Sequence, residues 1–177
     1  MQKRQQRATE KRQKLVQAGA QLFHTKGYEG SSLADVAKAA SLPPGGVFYH
    51  FPSKTDLADA VMEHHAAFFG AQLQAIEQDS EDARTRLRIF WDQAENLAEK
   101  RAELGCPVLS LAEDMAADTD RAPKRRKSRQ QVMELVINWL TAQYRSLGLD
   151  IEDAALQAAR LFAAMQGALM VKPLIEC

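Results

Sequence analysis

Residues 32–54 read Ser-Leu-Ala-Asp-Val-Ala-Lys-Ala-Ala-Ser-Leu-Pro-Pro-Gly-Gly-Val-Phe-Tyr-His-Phe-Pro-Ser-Lys. Ser32 suits the start of a helix, because its hydroxyl can accept from the first amides while Asp35, three residues on, completes a capping box. Leu33, Val36, Ala37 and Ala40 then fall on one face, which predicts a helix of about two turns with one apolar side. Ser41-Leu42 supplies a turn. Pro43-Pro44 opens a second helix, where the fixed proline φ is an advantage and the missing N–H no loss. Gly45 and Gly46 carry no side chain to hold that helix away from a partner. Val47 and Phe51, four apart, point inward together and leave Tyr49 and His50 outward, with Lys54 just beyond. Two short helices around a tight turn, the second presenting an aromatic, an imidazole and a lysine, form a helix-turn-helix.

Outward from this stretch, the 177 residues, 46% of them hydrophobic, suffice for one ordinary domain or two small ones sharing a core. No run approaches the roughly 18 apolar residues of a membrane span, and the basic, polar start lacks the apolar centre of a signal peptide. The expectation is a cytoplasmic protein with no membrane partner. Cys106 and Cys177 are too few and too far apart for a disulfide framework, so reduced thiols are expected. The net charge of zero hides an asymmetry. Residues 1–54 hold nine Lys or Arg against three Asp or Glu, a balance of +6, whereas residues 55–177 hold fourteen against twenty, a balance of −6. A positive head on an acidic body steers one face toward phosphates.

Lys3, Arg4, Arg7, Lys11, Arg12 and Lys14 carry most of the head's positive charge. The residues before Thr9 read as a solvated tail that can order on DNA, and Thr9 with Glu10 as a helix start. Leu15, Ala18, Leu22 and Phe23 continue that helix to Gly27. Ser53 caps a long helix from Lys54, whose stripe of Leu57, Ala60, Val61, His64, Phe68 and Ile76 slips near Gly70, where a bend is expected. Residues 82–101 form another amphipathic helix, with Ala83, Leu87, Phe90, Trp91, Ala94 and Leu97 inward. Gly105-Cys106-Pro107 interrupts the pattern before a short helix over 108–117. Asp118-Thr119-Asp120 caps the next helix, whose first turns carry a second basic cluster from Arg121 to Arg129 and whose stripe is Val132, Leu135, Val136, Trp139, Leu140 and Tyr144.

The last helix, residues 151–174, is apolar nearly all round and must be covered on more than one side. Ala155, Ala159, Ala163 and Gly167 form a strip of small side chains for close approach of another helix. The simplest arrangement is a homodimer through a four-helix bundle of the last two helices of each subunit. It would place two recognition helices on successive major-groove faces, about 34 Å apart or more.

Leu15-Val16 through Leu22-Phe23, then Gly27-Tyr28, Ser32 to Ala37 and Val47 to Leu57, resemble the amino-terminal DNA-binding domain of TetR/AcrR-type transcriptional regulators. The resemblance covers about the first third of the chain. It implies an all-α protein with a helix-turn-helix domain over residues 1–53 and a ligand-binding and dimerisation domain over 54–177. It implies too that the long helix from Lys54 acts as a lever and that the second basic cluster lies in the body as a solvated face. The expected partners are double-stranded operator DNA and a small-molecule inducer, and the expected role is a repressor. The DNA-binding set is Ser32, Pro44, Gly45, Gly46, Tyr49, His50 and Lys54, the glycines nearest base edges and the polar groups nearest phosphates. Two positions depart from the family pattern: Phe48 stands where a tyrosine is usual, and Pro44 where a lysine or similar donor is common.

Phe68, Phe69, Trp91, Met115, Trp139, Phe162 and Met165 are candidates to line an apolar ligand pocket, although plain core is the readier reading of each. Cys106 sits at a helix start, where the dipole and unpaired N–H groups favour a thiolate. The run Gly105 to Glu113 resembles the electrophile-responsive branch of the family, which makes a thiol-reactive electrophile the second candidate inducer. The alternatives are a structural Cys106 beside a reversible ligand site, or a helical enzyme using Cys106 as nucleophile. No phosphate loop, carboxylate pair or serine elbow supports an enzyme. Adjacent His64 and His65 point about a quarter-turn apart and cannot chelate one metal, so no metal or cofactor is expected.

Overall fold

The computed structural model describes the backbone of residues 2–101, 104–115 and 122–175, and the side chains within 3–96, 104–115 and 130–168. Among the described residues the chain consists of helices and the turns between them, with no strand. The helices are α1 (Gln2–Lys26), α2 (Leu33–Ala39), α3 (Pro44–His50), α4 (Lys54–Asp79), α5 (Ala83–Arg101), α6 (Pro107–Asp114), α7 (Ala122–Ser146) and α8 (Ile151–Ile175). The all-α class is the one the sequence predicts. The described residues fall into two compact units: those within Met1–His65 and Pro107–Arg129, and those within Ala66–Cys106 and Gln130–Cys177.

In the first unit, α1 begins about two turns before the expected start. Thr9 is no cap: its hydroxyl donates to the carbonyl of Gln5 at 3.1 Å, inside the helix. The Gln, Lys and Arg residues ahead of it are good helix formers with no Gly or Pro to stop them. From Leu15 onward one face is buried through Leu15, Val16, Ala18 and Phe23, and Gly27 ends the helix with φ +76°. The Ser32–Asp35 capping box forms as read, with Leu33, Val36 and Ala37 buried behind it.

The turn between α2 and α3 closes as a Schellman motif. The Leu42 N–H donates to Ala37 O at 2.9 Å and the Ser41 N–H to Lys38 O at 3.1 Å, placing Ser41 at the left-handed position with φ +56°. Pro44 then occupies the first helical position of α3, and Val47 and Phe51 are both buried. A second capping box, Ser53 with Asp56, starts α4: the Asp56 N–H donates to Ser53 Oγ at 3.1 Å and the Ser53 N–H to Asp56 Oδ2 at 3.1 Å.

Tyr28 ties these pieces together. Its ring packs on Phe23, with centroids 5.4 Å apart, and its hydroxyl lies 3.2 Å from Thr55 Oγ1. Lys54 Nζ sits 4.2 Å over the ring and donates to the Tyr28 carbonyl at 3.1 Å. The Tyr28 N–H donates to the Asp114 carboxylate at 2.7 Å. Asp114 belongs to α6, which follows α5 in sequence but packs along α1 and buries Val108 and Leu111. That helix is described over Pro107–Asp114 and starts one residue earlier than expected, because Pro107 takes its first turn; residues 116–117 of the expected span lie outside the described residues.

In the second unit, α4 continues unbroken through Gly70, whose Cα faces a Leu135 methyl. Leu73, Val136, Leu140 and Ala158 form its core, with Leu87, Phe90, Trp139, Tyr144, Leu161 and Phe162 packed around them. Asp82 caps α5 by accepting the Thr85 N–H at 2.7 Å. Arg86 Nε donates to Ser80 O at 2.6 Å and satisfies the end of α4. Ala154 and Ala158 of α8 are buried, whereas Ala155, Leu156, Ala159 and Ala163 are exposed. The proposed cap at residues 118–120, the side chains of Leu97 and of the basic cluster 121–129, and Cys177 lie outside the described residues.

Ser41 carries the backbone strain of the turn, since the left-handed region costs a non-glycine residue about 1–2 kcal/mol. Ser41→Val is expected to lower the unfolding free energy by about 1 kcal/mol or more, and Ser41→Gly to leave it unchanged or raise it by up to about 1 kcal/mol. Urea midpoints at constant m-value check this; equal midpoints for the two variants would contradict it.

Candidate nucleic-acid interface

Two fully buried residues, Val47 and Phe51, anchor α3 and turn its remaining surface to solvent. Tyr49 is 82% exposed and Phe48 57%. A Cβ built on Gly45 or Gly46 would meet nothing within 4 Å, and neither glycine has a positive φ. The fold itself therefore has no need of glycine at either position, although glycine weakens a helix. Pro44, beside them, is exposed as well.

Beside α3 runs a groove of about 690 Å³, lined by Lys3, Arg4, Arg7, Ala8 and Lys11 of α1 and by Leu42, Pro43, Gly46, Tyr49 and His50. No acidic side chain lines it. His50 is half-buried, its ring set edge-on to Tyr49 at 5.1 Å. Burial, with the charges of Lys11 and Arg12 added, lowers its pKa from the ordinary 6.5. In the absence of an anion the imidazole is therefore held neutral to lower pH than usual. A phosphate placed against it would reverse that shift, since an opposite charge favours the protonated ring.

Two of the expected contact residues are already engaged by the protein. Ser32 Oγ donates to Asp35 Oδ2 at 2.5 Å and accepts the Asp35 N–H at 3.1 Å, which leaves it one lone pair and no further proton. The Ser32 hydroxyl, and after it the Ser32 N–H at 3.0 Å, donate to the Asp35 carboxyl and lower its pKa from the ordinary value. Lys54 is spent on Tyr28 and lies 3.7 Å from the Glu29 carboxylate. The structure thus gathers Pro44, Gly45, Gly46, Tyr49 and His50 on one exposed surface, and gives Ser32 and Lys54 internal bonds that position it. Lys11 and Arg12, whose charges act on His50, and the exposed Phe48 join this surface beyond the residues expected from sequence. Its basic side has a signal in the sequence, where Lys3, Arg7 and Lys11 recur every four residues along one face.

The candidate ligand residues are divided. Phe68, Trp91, Trp139, Phe162 and Met165 belong to the second unit, and Met115, which is buried, to the first. Trp139 lies 5.7 Å from Phe90 and donates its Nε1–H to Glu77 Oε1 at 3.0 Å. With Phe162 it borders the core cluster of that unit. Phe68 is exposed, Trp91 and Met165 half-buried. Cys106 is half-buried between Gly105, at φ +68°, and Pro107. Among the described residues there is no group of three or more His, Cys, Asp or Glu able to hold a metal ion, and no helix long and apolar enough to cross a membrane.

Residues 15–61 match the family model of bacterial regulatory proteins, tetR family. The chain is 33% identical over 110 residues to the transcriptional regulator AcuR of Cereibacter sphaeroides, a match spanning 61% of this chain and 50% of that protein. It is 28% identical over 122 residues to the HTH-type transcriptional repressor NemR of Escherichia coli, covering 64% of this chain and 61% of NemR. The crystal structure of reduced E. coli NemR superposes with a TM-score of 0.77 at 22% identity, over 94% of this chain and 89% of that one, a likeness of fold. A TetR transcriptional regulator from Legionella pneumophila superposes with a TM-score of 0.79 at 25% identity, over 93% and 87%. The family's amino-terminal domain thus lies on the first helices, α1 into α4, and the helical fold is shared with TetR regulators along nearly the whole length, while the chain spans 50% and 61% of the lengths of the two curated relatives.

Proposed function

We propose that the protein is a homodimeric repressor that binds double-stranded operator DNA through α3 and is released by an inducer acting on the body of the chain. The observation that carries this reading is the surface of α3: a seven-residue helix pinned by Val47 and Phe51, with two glycines the fold does not require, exposed aromatics and a basic groove alongside. Glycines at the front of the helix let its backbone approach base edges, while Tyr49 and His50 reach phosphates. Ser32 and Lys54 act by fixing α2 and the α3–α4 corner. The domain division follows from the same reading, with residues 1–53 binding DNA and 54–177 sensing and dimerising. The exposed strip of Ala155, Ala159 and Ala163 on α8 supports a partner helix there.

The second unit offers an apolar ligand the aromatic surface around Phe68, Trp91, Trp139, Phe162 and Met165. Cys106 supports the electrophile reading because it directly precedes α6, whose far end holds the Tyr28 N–H. A modified sulfur would therefore act eight residues from a bond that positions the DNA-binding helices. The protein works as a regulator, not an enzyme, and resides in the cytoplasm with its DNA.

Two outcomes test the reading. Gly45→Ala and Gly46→Ala are expected to stabilise the fold by up to about 1 kcal/mol while weakening operator binding at least tenfold, so melting temperature and affinity move in opposite directions. Unchanged affinity would sink the close-approach role. Treatment with a mild thiol-reactive electrophile should release native protein from DNA and leave Cys106→Ser bound. If both are released alike, a reversible ligand site replaces the cysteine as the trigger.

A further inference from the structure

Residues 3–7 are all exposed, and the first fully buried side chain of α1 is Leu15. At 1.5 Å per residue, α1 carries Lys3 about 18 Å beyond Leu15, with Arg12 over the Phe51 ring and the half-buried Ala8 lying between. Nothing in the head's packing accounts for helix there, and its charges oppose it. Lys3 and Arg7, Arg4 and Arg7, Arg7 and Lys11 are like charges at helical spacings of three and four, and cations at a helix N-terminus add to the positive end of the dipole. Among the described residues none of these four cations lies within ion-pair distance of a carboxylate. All four instead line one groove whose opposite wall is Leu42, Pro43, Gly46, Tyr49 and His50, the leading edge and outer face of α3.

We infer that this groove is a second nucleic-acid site, a clamp in which the helical extension Lys3–Lys11 and the edge of α3 hold the phosphodiester backbone that flanks the bases read by α3. The inference rests on the DNA-binding reading and adds to it a rigid element outside the helix-turn-helix. A polyanion is the one partner that relieves both penalties at once, neutralising the stacked cations and the positive helix end. DNA rather than another anion is favoured by position, because the wall formed by Gly46 and Tyr49 is also the reading surface. The contacts are to phosphate only, so they add affinity without sequence preference.

The test compares native full-length protein with the triple variant Lys3→Gln, Arg4→Gln, Arg7→Gln, titrated by fluorescence anisotropy against two 30-base-pair duplexes, one from the region upstream of the coding sequence and one of scrambled sequence, over a range of salt. Each neutralised phosphate contributes about 0.9 to the slope of log K against log salt. The slope of the variant is expected to fall by about two to three per protomer on both duplexes, with the ratio of their affinities preserved and the thermal melt unchanged. A slope unaltered by the triple substitution, in a variant that still binds, overturns the clamp and leaves the helix-turn-helix reading intact. A variant that loses discrimination between the duplexes at constant slope also overturns it, since the extension would then read bases. Failure of the native chain to bind either duplex at low salt overturns the DNA-binding reading and the clamp together.

Discussion

Three elements of the head, α1, α4 and α6, meet at Tyr28. A seven-residue helix has no independent stability, since nucleation is costly and short helices are marginal in water. Its orientation must come from neighbours, and Tyr28 joins three of them through separate groups. The ring bears on Phe23 and carries Lys54, the carbonyl accepts from Lys54, the hydroxyl reaches Thr55, and the N–H is held by Asp114. The end of α1, the start of α4 and the end of α6 are thereby fixed to one residue. The charged bonds among these are individually the stronger kind; losing Asp114 would leave the Tyr28 N–H unpaired, whereas the Tyr28 carbonyl would keep the Ser31 N–H at 3.3 Å.

That arrangement gives the proposed induction a physical route. α6 runs from Pro107, directly after Cys106 in the chain, to Asp114, which holds the Tyr28 N–H, so a chemical handle precedes one end of this helix and the head's keystone sits at the other. A ligand or modification needs only to bias the position of α6 for the presentation of α3 to change. Inverting a population from 1:99 to 99:1 takes about a 10⁴-fold difference in affinity between two states. A differential of a few kcal/mol is within reach of a buried apolar contact or a covalent change.

Much of this was legible in the chain because it depends on local chemistry. Both capping serines, the Val47–Phe51 pair and the stop at Gly27 were readable from neighbours within four residues, and so were the all-α class and the outward face of α3. Features set by distant residues were not. Lys54 reads as a free cation, and only the fold brings Tyr28, 26 residues away, beneath it. The association of α6 with α1 depends on Asp114 meeting a backbone amide 86 residues earlier. The start of α1 was misplaced for a different reason. Thr9 has the composition of a cap, but the Gln-rich basic run before it has helix propensity of its own, and a propensity argument loses to a cap signal only when something breaks the run. Ser41 shows the limit of turn chemistry, since the left-handed position at a Schellman turn ordinarily calls for Gly or Asn.

The central claim is that two copies of this chain read one DNA site through paired copies of α3. Selection of tight binders by the full-length protein from a random duplex library, followed by sequencing, tests it most directly. The account predicts enrichment of an inverted repeat whose half-site centres lie about one helical turn of DNA apart or more, with sequence information confined to the positions under α3. Enrichment of a single unpaired half-site would contradict the dimeric reading, and no enrichment above the starting library would contradict sequence-specific recognition altogether.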